Sequence, residues 1–153
     1  MPMSCAQNGV NLGLSWFNHH MGVFVVNFDS VARANVDFWY DHECEVVQAQ
    51  VRRLSPSEWE EFERQCLLLP AESQERMAYV LGGVDTVASA RVLLQLCKRP
   101  DRDTVLTARE AVRSLTLESV KQAACDLSPS VTGRTINKIL DWFERSAIPP
   151  NDR

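Results

Sequence analysis

Apolar residues recur at intervals of three and four from Glu72 to Leu127: Met77, Val80, Leu81 and Val84, then Ala90, Leu93, Leu94 and Cys97, then Val105, Ala108, Val112 and Leu115. That spacing lays one apolar stripe along each of several successive short helices. Gly82-Gly83, Lys98-Arg99-Pro100 and Leu115-Thr116 interrupt the stripes, and such short breaks turn consecutive helices into antiparallel neighbours. The expected helices cover 71–81, 86–98, 103–115, 117–127 and 131–146. In this reading Gly82-Gly83 is a left-handed stop, Asp85 caps the helix that follows, and Lys98-Arg99 lie where a helix C-terminus favours cations. A displacement of 33 residues brings Arg76-Met-Ala-Tyr onto Arg109-Glu-Ala-Val, Val87 onto Val120, Ala90 onto Ala123 and Leu94 onto Leu127. This is a helical-repeat signal.

Upstream, Ser55-Pro56-Ser57-Glu58 is the clearest helix start in the chain. Ser55 caps the amide of Glu58 while Glu58 reaches back, Pro56 takes the first helical position, and Leu54 can staple against Trp59. The helix carries Trp59, Phe62 and Cys66 inward and Glu60, Glu61, Glu63 and Arg64 outward, and Pro70 ends it. From Ser30 onward, the residues Val31, Ala34, Phe38, Val47, Val51 and Leu54 fit one long helix running to about Arg53 and capped by Asp29 or Ser30. Val46-Val47 and the triplet Phe38-Trp39-Tyr40 favour a break near Asp41 instead. Residues 1–28 show no sustained period, and Val23–Phe28, β-branched and aromatic, fits either a short strand or a helix. The last helix turns Ile136, Ile139, Leu140 and Phe143 to the stack and Arg134, Lys138, Asp141 and Arg145 to solvent, as a terminal repeat requires. The expected fold is therefore mainly α and a single domain over residues 1–153. It comprises an irregular segment at 1–28 that allows one short β element, a long or broken helix at 29–54, a stack of antiparallel helix pairs at 55–146, and a tail at 147–153.

A chain of 153 residues can bury a core without disulfides or metal. The cysteines at 5, 44, 66, 97 and 125 are odd in number and never form a C-x-x-C pair, so they make neither a disulfide framework nor a zinc ribbon. Cys66, Cys97 and Cys125 fall in apolar surroundings, where a thiol acts as a small hydrophobe. No basic stretch opens the chain, and the apolar run Met21–Phe28 is too short for a signal peptide or a membrane span. A cytoplasmic protein with no membrane partner is expected.

Charge changes the picture more. From Asp29 to Glu63, nine acids (Asp29, Asp37, Asp41, Glu43, Glu45, Glu58, Glu60, Glu61, Glu63) face three bases (Arg33, Arg52, Arg53), whereas the rest of the chain is slightly basic. An acidic front on a near-neutral scaffold attracts a basic partner and repels nucleic acid. Trp39 and Tyr40 lie within it, and as aromatics they fit either the core or the centre of an interface. The candidate partner-binding residues are Asp37, Trp39, Tyr40, Asp41, Glu43, Glu45, Glu60 and Glu61.

Evidence for other chemistry is thin. His19, His20, His42 and Cys44 are metal-ligand types, but their spacing matches no zinc pattern. His42 and Cys44, two apart on a helix, do not face each other as a nucleophilic pair must. Phosphate-loop, dinucleotide and nucleophile-elbow signatures do not occur. Arg91, Lys98, Arg99, Arg102, Arg109 and Arg113 could line a basic surface, but acids are interleaved with them and the pI is about 5.4. Neither a catalytic residue nor a metal, cofactor or nucleic-acid partner is expected.

Arg76 to Cys97, with a small-residue helix ending in Leu81-Gly82 and a second helix ending in Leu93-Leu94-Gln95-Leu96, resembles HEAT-like helical repeats. An acidic domain of this size with such repeats and a less regular N-terminus is similar to bacterial immunity proteins. That resemblance implies tight binding to one cognate toxin from contact-dependent or type VI secretion, by occlusion of its active site. A helical-repeat adaptor that binds another protein is the alternative.

Overall fold

The computed structural model describes residues 26–127, 137–142 and 145. The chain is mainly helical, and there is no strand among these residues. Eight α-helices follow in order: α1 (Phe28–Arg33), α2 (Val36–Phe38), α3 (Cys44–Val51), α4 (Pro56–Cys66), α5 (Ala71–Gly82), α6 (Val87–Leu96), α7 (Arg102–Arg113) and α8 (Leu117–Asp126). A π-helical turn, Trp39–Glu43, joins α2 to α3 without interruption. Residues 137–142 are helical as well. Of the segment proposed as a short strand, Phe28 instead opens α1, and residues 23–25 lie outside the described residues.

Most helix starts follow from single capping side chains. Asn27 accepts from the Ser30 amide, Asn35 from Phe38, Thr86 from Ser89, Asp101 from Thr104 and Thr116 from Ser119. At Ser55 both halves of the capping box form, with the Ser55 amide donating to Glu58 Oε2 at 2.7 Å. The long helix expected from Ser30 is therefore broken at Ala34-Asn35, where Asn35 starts a new helix. At Asp41, the expected break is a π turn instead.

The helices form two packed layers. In one, α3 packs on α5 and α5 on α7; in the other, α4 packs on α6 and α6 on α8. This is the stack of helix pairs that the spacing predicts. α6 is the centre, with Ser89, Ala90, Val92, Leu93, Leu94 and Leu96 all buried, because it also contacts α5 and α7. A helix enclosed on most sides reads as apolar almost all round. At the far end, Ile139 and Leu140 pack against the core, and the Arg113 guanidinium lies 4.3 Å from the Trp142 ring centroid.

The repeat period is shorter than the displacement of 33 suggests. The N-caps Ser55, Thr86 and Thr116 stand 31 and 30 residues apart. Lateral hydrogen bonds between helices of one layer span similar separations: Gln48 to Val80, Arg52 to Gly83, Thr104 to Ala71 and Thr116 to Asp85. Arg76 and Arg109 are thus not equivalent positions. Asp85 does not cap the next helix, which Thr86 does; its carboxylate ties back to the amide and hydroxyl of Thr116.

Gly82-Gly83 is not a left-handed stop, since no residue among those described has positive φ. Both glycines serve close approach. A Cβ on Gly82 would come within 3.0 Å of Ala111 Cβ on α7, and one on Gly83 would collide with the Gln48 carboxamide. Without left-handed caps, terminal carbonyls are satisfied by side chains from other helices. Gln48 donates to Val80 O at 3.0 Å and Arg52 to Gly83 O at 2.8 Å, both at the end of α5. At the end of α4, Gln74 donates to Leu67 O at 3.0 Å, and Arg99 donates to the same oxygen. At the end of α1, Arg76 Nη1 donates to Val31 O and Ala34 O, each at 2.7 Å.

Arg76 is only 6% exposed, and its other amino group pairs with Glu72 at 2.8 Å. Removing it leaves two carbonyls without their donor, at a cost of about 1–3 kcal/mol for each one left buried. Arg76→Met, which keeps the apolar stem, should therefore lower the stability to urea by about 3 kcal/mol, read as a fall in midpoint with little change in slope. A loss below about 0.5 kcal/mol, the usual range for a surface change, would show that the guanidinium is dispensable.

Candidate functional site

The π turn determines which aromatic residue faces the core. On the inner face of α3 lie Cys44, Val47 and Val51, and counting back at α-helical spacing from Cys44 and Val47 leads to Tyr40. The π turn adds one residue to the turn, so Trp39 takes the inner position and Tyr40 swings out. Trp39 is fully buried, with the Arg76 guanidinium 5.7 Å from its ring centroid. Of its two readings, core is the one realised. Phe38, expected to face inward, is 47% exposed and packs on His42 with centroids 5.5 Å apart.

The outer side of the same helix collects the acidic front. Asp37, Tyr40 and Asp41 stand at i, i+3 and i+4, with Glu45 one turn further, and all four are exposed. Among the described residues, Asp37, Asp41 and Glu45 form no ion pair. Helix α5 contributes Glu75 and Tyr79, themselves at i and i+4. Tyr40 and Tyr79 meet edge to face, with centroids 5.0 Å apart and planes at 87°. Partial burial raises the Tyr40 phenol above its ordinary pKa, and the Glu75 carboxylate adds to the rise. At neutral pH the phenol is therefore a neutral group that can donate as well as accept. The Thr107 hydroxyl, 3.5 Å from Glu75 Oε1, carries this surface on to α7.

The remaining candidates divide. Glu43 accepts a short hydrogen bond from the Ser30 hydroxyl and ties α1 to the π turn. Glu61 is engaged by Arg64 and Gln65, and the Arg64 hydrogen bond holds its carboxyl below the usual range. Glu60 is exposed on α4, in the other layer. Glu63, expected to point outward, reaches across to Arg91 at 2.6 Å and to Gln95 on α6. The structure thus brings Asp37, Tyr40, Asp41 and Glu45 together, sets Glu60 and Glu61 on a different helix, and buries Trp39. Glu75 and Tyr79 were not singled out from the sequence. The available signal was their spacing on the side of α5 opposite its apolar stripe.

Among the described residues, Cys44 and His42 do not form a nucleophilic pair. Cys44 turns inward, where its Sγ donates to Tyr40 O at 3.3 Å, and burial raises its pKa, while His42 is exposed against Phe38. The two side chains diverge. Among the described residues no group of three or more His, Cys, Asp or Glu is placed to hold a metal ion, and His19 and His20 lie outside those residues. The proposed basic surface is partly committed to internal contacts, since Arg91 binds Glu63, Arg99 caps Leu67 and Arg113 pairs with Glu110. No described helix is long and apolar enough to cross a membrane.

Cys66 and Cys97 are buried, and desolvation pushes both thiols up to about 12. Cys125, expected on an apolar face, is exposed, because α8 buries Val120 and Ala123 instead. At about pH 8, where an ordinary exposed thiol is partly ionised, iodoacetamide followed by peptide mapping should label Cys125 and leave Cys66 and Cys97 unmodified until urea is added. Rapid native labelling of Cys66 would contradict the packing of α4 on α6. Comparison of the chain with protein-family models, with curated proteins and with solved structures gives no match.

Proposed function

We propose that the chain is a non-enzymatic immunity protein, which binds a cognate secreted bacterial toxin by protein–protein contact and blocks its active site. One observation carries the reading. Asp37, Asp41 and Glu45 project from one exposed helix face, and no cation among the described residues pairs with them. Like charges lined up on one face repel one another, and a basic surface laid against them relieves that repulsion.

The scaffold suits such a role. The acid-bearing helix is fixed by buried Trp39, Val47 and Val51 and by the Gln48 and Arg52 bonds to the end of α5. A face held in this way loses little conformational freedom when a partner docks. Its charges steer a basic toxin into encounter, and Tyr40 and Tyr79 are the aromatic type that anchors interfaces. The same carboxylates disfavour nucleic acid as a partner.

Replacement of Asp37, Asp41 and Glu45 together by lysine tests the proposal against a basic toxin domain, to be sought first among genes adjacent to the chain's own. Association at low salt should slow by at least about tenfold, and protection of cells expressing the toxin should fall, while circular dichroism stays helical. Unchanged association and protection would remove this face from the function. Capture through the same face of a protein with no toxic activity would favour an adaptor.

A further inference from the structure

The tyrosine pair defines a more specific site than the acidic front as a whole. Tyr40 and Tyr79 are 42% and 49% exposed, so each keeps uncovered ring surface although they touch. Because the planes meet at 87°, the pair forms an angular notch bordered by the face of one ring and the edge of the other. Glu75 stands one turn before Tyr79 and its carboxylate acts on the Tyr40 phenol, while Asp37 and Asp41 lie three residues before and one after Tyr40 on the same exposed stretch. Neither phenol hydroxyl has a hydrogen-bond partner among the described residues.

The Arg76 guanidinium opposes the rise in the Tyr40 pKa that burial and Glu75 cause. It is 6% exposed and committed to Val31 O, Ala34 O and Glu72. It cannot turn outward without abandoning the carbonyls of Val31 and Ala34, so the notch keeps its negative surroundings.

We infer that this notch seats an arginine side chain of a basic partner protein, with the guanidinium stacked on a tyrosine face and its N–H groups directed to Asp37, Asp41 or Glu75. The inference deepens the proposed function and rests on it only in taking the partner to be a protein. Charge complementarity chooses the sign, because among the described residues the rim offers carboxylate acceptors and no ion-paired cation. The aromatic walls choose arginine over lysine: a planar, weakly hydrated guanidinium stacks on a ring and forks onto carboxylates, whereas an ammonium stays strongly hydrated. A second copy of this chain would bring the same carboxylates into like-charge apposition, and a polyanion would meet them unscreened.

The test uses the full chain and two short peptides, one alternating glycine with arginine and one alternating glycine with lysine. Each is titrated while the tyrosine ring signals are followed by aromatic 1H–13C NMR. The arginine peptide should shift the Tyr40 and Tyr79 signals saturably, with binding at least about fivefold tighter than that of the lysine peptide, as expected for a cation–π term of about 1 kcal/mol. Tyr79→Ala and the nearly isosteric pair Asp37→Asn with Asp41→Asn should each weaken binding by at least about fivefold, and Glu60→Gln on α4 should not. Absence of saturable shifts at these two rings, equal affinity for the two peptides, or full binding by the asparagine pair would each overturn the inference. Arginine binding here, with toxin association unchanged in the triple lysine variant, would keep the seat and discard the toxin reading.

Discussion

The guanidinium of Arg76 sits where three parts of the chain meet. It donates to the carbonyls of Val31 and Ala34 at the end of α1, pairs with Glu72 on its own helix, and lies over the ring of Trp39 in the π turn. A helix end has carbonyls that its own amides cannot satisfy, and a terminus buried against a stack has little water to offer instead. Arg76 supplies those donors from α5. The segment before Asn35 is thereby joined to the repeats by a requirement of the backbone as well as by the burial of Val31 and the stacking of Phe28 on Phe62. The same solution recurs along the stack, where Gln48 and Arg52 close α5, and Gln74 and Arg99 close α4. With no left-handed residue among those described, the ends of α1, α4 and α5 depend on neighbouring helices, so the helices hold one another in place.

This constraint also sets up the candidate surface. Arg76 and Trp39 occupy the inner side of the junction, and the π turn that delivers Trp39 there rotates Tyr40 to the outside. Tyr40 then meets Tyr79, three residues beyond Arg76 on α5, so one short stretch of α5 supplies both the internal anchor and half of the aromatic notch. Burial raises the Tyr40 phenol, and Glu75 reinforces the effect. The carboxylates beside it have no cation of their own among the described residues, in contrast to Glu63 and Glu61, whose charges are balanced by Arg91 and Arg64.

The sequence is most legible where local signals suffice. The capping box at Ser55, the proline after α4 and the three-four spacing of α5 to α8 locate these helices to within a few residues. What it hides depends on tertiary partners. Gly82-Gly83 reads as a turn signal, but Gly82 lies in close approach to Ala111 on α7 and Gly83 to the Gln48 carboxamide. Asp85 reads as a cap, but its partner is Thr116, one repeat away. The π turn has no signature in single-residue propensities, so the phase of Phe38, Trp39 and Tyr40 could not be assigned, and with it which aromatic is core. Arg76 was detectable in principle, as a charged residue next to Met77 on the inner side of an apolar stripe with Glu72 four residues before it. The acidic front was visible in composition, but its division between α4 and the 36–51 helix required the fold.

Through the junction at Arg76, the N-terminal helices and the repeat stack should unfold as one cooperative unit, with the Tyr40 surface held in place between them. Native-state hydrogen exchange tests it most directly. The Ala34 amide, bonded to Ser30 O, closes α1, and the Cys97 amide, bonded to Leu93 O, closes the central helix. These two amides should be protected to within about tenfold of each other, because they open together. Exchange of Ala34 close to the rate of an unstructured amide, while Cys97 stays protected, would contradict it.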